Sequence, residues 1–275
     1  MSLPGGPVTA AIYTVFLWWF ATGGLFWLYG RAGLGRRQVL IIASAAAPVF
    51  AFLVHLSART ASPTSALLAF TAALGLWGWN ELSFLLGFVT GPNAEVCPPG
   101  ARGVDRFRRA ASTLIFHEAA LLGTLALIVV LVGKGPNPVA AWTFATLFAA
   151  RLCAKFNLFV GVPNFSAGLF PERLRHMASY LRRRPPGGLL ELSLAGLALI
   201  AGLEAGEAFA RDADPFRATA FGLLFALTAM ALLEHLFMLI PISESALWGW
   251  ALPQAARPGP NARMSEINPS SNSGL

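Results

Sequence analysis

Charge is scarce in this 275-residue chain: 13 acidic and 20 basic residues make only 12% of it charged, about half the share of a soluble protein. An ordinary soluble enzyme is excluded on that ground. Cysteine is scarcer still. Cys97 and Cys153 stand far apart, outside any Cys-x-x-Cys or Cys/His spacing, so neither a disulfide framework nor a zinc site is supported. A Gly-x-Ser-x-Gly elbow, a Walker-type phosphate loop and a Gly-x-Gly-x-x-Gly turn are all missing, and nucleophilic catalysis is not indicated. Glycine and proline, at 27 and 19 residues, depart little from average usage and exclude a collagen-like or linker protein. No basic residue precedes the first apolar segment, which is too long for the core of a signal peptide and is expected to stay in the mature protein.

What the chain has is apolar mass. Hydrophobic residues make up 56% of it, with eight Trp and 21 Phe, and its mean hydropathy is +0.61. Such a composition belongs in a lipid bilayer. The net charge of +7 would suit nucleic acid, but no solvated domain is large enough to present a binding face, so no nucleic-acid partner is expected.

Stretches of about 20 apolar residues carry a helix across a hydrocarbon layer roughly 30 Å thick. Seven are expected, over 7–29, 38–57, 64–90, 112–133, 138–161, 188–210 and 215–240. The fold class is therefore all-α: a polytopic bundle of about seven transmembrane helices in a single domain, 1–252, followed by a disordered tail, 253–275, rich in Pro, Ser, Asn and Gly. Fourteen basic residues lie in alternate segments, namely 31–37, 102–109, 173–184 and the tail, against four (Arg59, Lys134, Arg211 and Arg217) in the opposite set. Positive charge collects on the cytoplasmic side, so the N-terminus is expected in the periplasm, the C-terminus in the cytoplasm and the protein in the bacterial inner (cytoplasmic or intracytoplasmic) membrane. Phe170, Leu174, Met177, Ala178 and Leu181 recur with helical spacing and predict a short interfacial helix over about 170–182. The Arg182-Arg183-Arg184 run after it reads either as an orientation signal alone or as a contact for anionic headgroups.

Ionisable groups inside a bilayer are costly, so each demands an explanation. Glu81, Glu118 and Glu234 are expected about 9 to 14 Å from the cytoplasmic boundary, at 1.5 Å per helical residue. His117, Arg151, Lys155, Glu191 and His235 fall in the same half, across five helices. His55, Glu204 and Glu207 sit near helix ends, where long side chains reach water. Three readings of the cluster are open. Glu81, His117, Glu118, Glu234 and His235 are residue types that bind Fe, Mn or Zn, joined by the i, i+4 pair Glu172 and His176 if the interfacial helix folds back. Arg151, Lys155 and Glu191 could instead form an ion-pair network with the carboxylates. His117 or His235 could serve as the axial ligand of a chlorin magnesium.

Four segments carry a resemblance: Phe16-Leu17-Trp18-Trp19-Phe20, His117-Glu118, Pro163-Asn164-Phe165-Ser166 through Arg175-His176, and Glu244-Ser245-Ala246-Leu247-Trp248-Gly249-Trp250. Together they resemble the photosynthetic complex assembly protein 2 family, the PuhE proteins of anoxygenic phototrophic bacteria, from about Tyr13 to Leu252. The resemblance implies an inner-membrane protein encoded among genes for the reaction centre and bacteriochlorophyll synthesis, acting on pigment supply or complex assembly. It implies reaction-centre or bacteriochlorophyll-synthesis proteins as partners besides the lipid bilayer, and a bacteriochlorophyll or precursor as ligand. The first expectation is a non-enzymatic assembly factor. A metalloenzyme acting on a tetrapyrrole or other lipophile, and a proton-coupled transporter, are the alternatives.

Overall fold

Apolar runs closed by glycine, proline and polar turns set the helices of this protein, seen here in a computed structural model that describes residues 6–30, 33, 35–165 and 170–240. In chain order these helices are α1 (Pro7–Gly30), α2 (Arg36–Ser57), α3 (Pro63–Leu85), α4 (Gly103–Ser112), α5 (Ile115–Val132), α6 (Val139–Val160), α7 (Arg175–Ala178), α8 (Gly188–Ala208) and α9 (Pro215–Phe237). Among the described residues there is no strand, only a single parallel bridge between Val162 and Arg183. Six helices, α1, α2, α5, α6, α8 and α9, are long and apolar enough to cross a membrane. Their outer faces carry Ile12, Phe52, Val130, Leu192 and Leu203, each more than 60% exposed, a surface suited to lipid and unsuited to water.

α3 has the length of a span, 23 residues, but is not among the six. Its last third, Trp-Gly-Trp-Asn-Glu-Leu-Ser, lowers its hydropathy, and its position explains why that is tolerated. α3 is the central helix, packed against α1, α2, α5, α6 and α9. Ala66, Ala69, Ala72 and Ala73 are fully buried along it and let its neighbours approach closely around Phe70, Leu121, Phe144 and Leu223. Helix starts follow the local sequence. Ser62 accepts the Ser65 N–H before Pro63, and Asp214 accepts from Phe216 and Arg217 before Pro215.

Three boundaries differ from the sequence expectation. The span expected over 64–90 stops at Leu85, because Gly87 takes a positive φ of 77° and its N–H returns to the Phe84 carbonyl. The span expected from 112 begins at Ile115, preceded by the separate helix α4. The Ser112 and Thr113 hydroxyls donate to the carbonyls of Arg109 and Ala110 (2.8 and 2.7 Å), which closes α4 before α5 starts. The helix expected over 170–182 is a 3-10 turn at Glu172–Leu174 and then the single turn α7. It ends where Ser179 donates to the His176 carbonyl, and Leu174 and Met177 are buried in the protein. The Arg182-Arg183-Arg184 run is extended, its backbone paired with Val162. The tail 253–275 and the Glu244–Trp250 segment lie outside the described residues.

Candidate functional site at the basic end

The end of the bundle that carries most arginines gathers the C-termini of α3, α6 and α9 and the N-termini of α2, α5 and α8. Loop 86–102 fixes the start of α5. The Thr90 carbonyl accepts the N–H groups of Phe116 and His117 (2.9 and 3.1 Å), donors that a helix N-terminus leaves without a partner in its own helix. Gly91 permits this: a Cβ there would collide with the Ser112 carbonyl and the Thr113 backbone. Two guanidiniums, of Arg36 and Arg173, donate to the Leu86 carbonyl (2.8 and 3.1 Å) and so meet the negative end of α3.

Inside that frame, α3, α5 and α6 bring five of the expected residues together. Glu81 and His117 are buried, with His117 Nε2 3.7 Å from Glu81 Oε1, and the imidazole stacks on Phe84 at 4.4 Å. Arg151 Nη2 lies 3.6 Å from the other Glu81 oxygen. One turn along α6, Lys155 forms an ion pair with Glu118, in the first turn of α5, where the helix end favours a carboxylate. Asn80 donates to the Leu76 carbonyl and to Thr124 Oγ1, both at 3.0 Å. Four buried atoms on α3 and α5 keep unused hydrogen-bonding capacity: Asn80 Oδ1, Glu81 Oε1, His117 Nδ1 and Glu118 Oε2.

The other candidates lie on α7, α8 and α9 and on the turn before α7. His235 is buried on α9, its Nδ1 2.8 Å from the Ala231 carbonyl, with Nε2 enclosed and without a hydrogen-bond partner among the described residues. Glu234, beside it, is half-buried. Glu191 is exposed in the first turn of α8. Glu172 is exposed and 3.4 Å from Arg175, while His176 is half-buried with its Nε2 enclosed. Among the described residues, no three of His, Cys, Asp and Glu converge as the ligands of one metal ion would.

Residues 5–259 match a family described as a protein of unknown function, DUF3623. The chain belongs to this family. It is 40% identical over 256 residues to a Rhodobacter capsulatus protein described as an uncharacterized 30.4 kDa protein in the puhA 5′ region, an alignment covering 92% of this chain and 93% of that protein. No solved structure matches.

In this DUF3623 chain the sequence reading missed Arg106. By sequence one of the fourteen basic residues that orient the chain, it is buried (5% exposed) and turns inward from α4. Its guanidinium donates to the Phe159 carbonyl at 2.9 Å and to the Tyr180 carbonyl, and lies 4.0 Å over the Phe159 ring. Burial, and then the neighbouring Arg182 and Arg184, pull its pKa below the ordinary arginine value, though guanidinium stays protonated. Tyr180 in turn accepts from Asn93 and donates to the Glu95 carbonyl, while the Cys97 N–H donates to Ser179. These bonds knit loop 86–102, α4 and the 161–187 segment into one cap. Phe107 packs against the Phe156 and Phe159 rings of α6 beside it, so the local sequence pattern gives no sign that Arg106 is a residue that turns inward.

Proposed function

We propose that this protein is a multi-pass inner-membrane factor of a phototrophic bacterium that supports photosynthetic complex assembly or adjusts bacteriochlorophyll supply, and that it acts by binding. The position of its relative in the puhA 5′ region agrees with that role. α3 joins the six apolar helices as a seventh span, the N-terminus is periplasmic, and the arginine-rich cap faces the cytoplasm, where reaction-centre or pigment-synthesis proteins would meet it. One observation carries the choice of binding over catalysis. Glu81 and Glu118, the carboxylates nearest a shared interior, each have a cation beside them, Arg151 and Lys155. A carboxylate neutralised in this way is a poor base and a poor metal ligand.

His235 fits the pigment role better than His117. The Ala231 carbonyl requires Nδ1 to carry the proton, which leaves the Nε2 lone pair available inside the protein, whereas His117 already has Glu81 and the Phe84 ring as neighbours. If a chlorin is bound, His235 Nε2 would be the atom that holds its magnesium. The test is to purify the protein in mild detergent and record its visible and near-infrared absorption beside its metal content. Pigment at a fixed ratio, lost in His235→Ala, is the expected result, together with an altered amount of assembled complexes in cells lacking the protein. Stoichiometric iron, manganese or zinc that vanishes in Glu81→Gln or Glu118→Gln would replace this reading with the metalloenzyme.

A further inference from the structure

α4 turns apolar residues outward. Val104 and Phe107, at i and i+3, share one face of this ten-residue helix with Arg108, at i+4, and all three are exposed, Val104 by 73%. A helix lying between a protein and water shows the reverse pattern, with its apolar side inward. Here Arg106 is the residue turned inward, and the apolar edge needs a neighbour other than water.

The place of α4 identifies that neighbour. The Phe107 ring stacks on Phe156 (6.3 Å, 9°) and meets Phe159 edge-on (5.7 Å), both near the end of α6. Phe156 is 41% exposed and belongs, with Trp142, Ala145, Ala149 and Val160, to the exposed stripe of α6, a helix apolar enough to cross a membrane. It lies four residues, about 6 Å, from the end of that helix. α4 therefore continues the lipid-facing surface at the depth where hydrocarbon gives way to headgroups, the depth of an interfacial helix.

The charge at this place is one-sided. Segments 86–114 and 161–187 hold nine arginines against three carboxylates, and two of the three, Asp105 and Glu172, already face Arg109 and Arg175. Arg106, Arg182 and Arg184 crowd the end of α6. Arg106 donates to the Phe159 carbonyl and the Arg182 N–H to the Leu158 carbonyl; the stem of Arg184 lies over Gly161, where a Cβ would come within 2.9 Å of it. Arg182 and Arg184 act on Arg106 as like charges. A helix C-terminus sets roughly half a negative charge against these three positive ones. The side chains of Arg108 and Arg184 are exposed and, among the described residues, enter no ion pair or hydrogen bond.

We infer that α4 is an interfacial helix that docks anionic phospholipid. The edge of Val104 and Phe107 enters the boundary between headgroups and acyl chains, Arg108 and Arg184 hold lipid phosphates, and an acyl chain runs down the α6 stripe from Phe156. An acidic protein would meet the arginines but would leave Val104 and Phe107 without an apolar neighbour at membrane depth. The site uses no residue of the Glu81 cluster, and it depends neither on His235 nor on which side of the membrane the basic end faces.

The probe is an NBD fluorophore on Val104→Cys, in protein with Cys97→Ser and Cys153→Ser, reconstituted into nanodiscs of phosphatidylcholine and phosphatidylglycerol. Each lipid in turn carries a nitroxide near the top of one acyl chain, at equal mole fraction. Quenching by both is expected, with phosphatidylglycerol preferred about fivefold beside the label, the gain of one arginine near an anionic lipid. Arg108→Gln with Arg184→Gln is expected to bring the two lipids to parity while quenching persists, because the apolar edge remains and Gln keeps a stem over Gly161. Arg37→Gln, exposed at the same end on α2, is expected to leave the preference intact, which separates a site from diffuse positive charge. Equal quenching by the two lipids in the labelled protein would overturn the inference, as would a preference that survives loss of Arg108 and Arg184 or is lost equally in Arg37→Gln. So would a label that neither lipid quenches and that oligoglutamate shields from water, which would make the face a dock for an acidic protein.

Discussion

Lys155 and Glu118 form an ion pair whose side chains are only 24% and 13% exposed, within helices flanked by lipid. Arg109 and Asp105, on the surface helix α4, form another at 3.0 Å, but with side chains 43% and 59% exposed. Exposure decides their worth. Removing one member of an enclosed pair costs about 3–5 kcal/mol because the other charge stays behind, while an exposed pair contributes about 0–1 kcal/mol. Lys155→Met should therefore lower the thermal unfolding midpoint in detergent clearly, Lys155→Met with Glu118→Leu should recover much of the loss, and Arg109→Ala should change little. Thermal unfolding of the four proteins checks this, and a double variant no better than the single would show that the pair is not the source of the stability. The sequence named all five residues of the cluster through the rarity of charge in apolar segments. It did not name the pairs. Neighbouring helical residues point about 100° apart, so which of His117 and Glu118 faces α3 depends on the rotation of α5, which Thr90 and Gly91 set from another segment.

Within the cap a single residue has three roles at once. Arg106 reaches carbonyls of two chain segments and covers the Phe159 ring, and it needs a planar fork to do so. Lysine keeps the charge but cannot repeat that geometry. In Arg106→Lys, limited proteolysis should cut within 86–102 or 161–187 at least several times faster than in the unaltered protein, while the spans remain protected and the unfolding midpoint moves little. Equal cleavage rates would mean that Tyr180, Asn93 and Ser179 hold the cap without it. The long helices were legible to within a few residues, since Lys134-Gly135-Pro136 and Asp212–Pro215 interrupt continuous apolar runs. The cap was not. Its order comes from side chains bonding backbone carbonyls of distant segments, and such bonds leave no period in the sequence. The end of α3 was misplaced for a related reason: apolar residues continue to Val89, and only the positive φ of Gly87 stops the helix.

At the scale of the whole molecule, the proposed topology stands on α3, the one of the seven long helices not apolar enough to be a span by composition alone, and the most enclosed by its neighbours. If α3 crosses the bilayer, the α2–α3 turn at Thr60 lies on the opposite side from Cys97, and on the same side as the α8–α9 turn at Ala213. If it does not cross, Thr60 and Cys97 share a side. The fourteen-to-four division of basic residues adds a sign to this geometry: Cys97, among the arginine-rich loops, is expected in the cytoplasm. Three single-cysteine proteins decide both points. One keeps Cys97 with Cys153→Ser; the others carry Thr60→Cys or Ala213→Cys in a background lacking both native cysteines. A membrane-impermeant maleimide should label the Thr60→Cys and Ala213→Cys proteins in intact spheroplasts and leave Cys97 unlabelled until inverted vesicles are used. Reversal at all three sites would keep seven spans and invert the orientation. Labelling of the Thr60→Cys protein together with Cys97, and apart from Ala213→Cys, would leave α3 buried in the bundle without spanning it, and the charged cluster around Glu81 would then need a different depth.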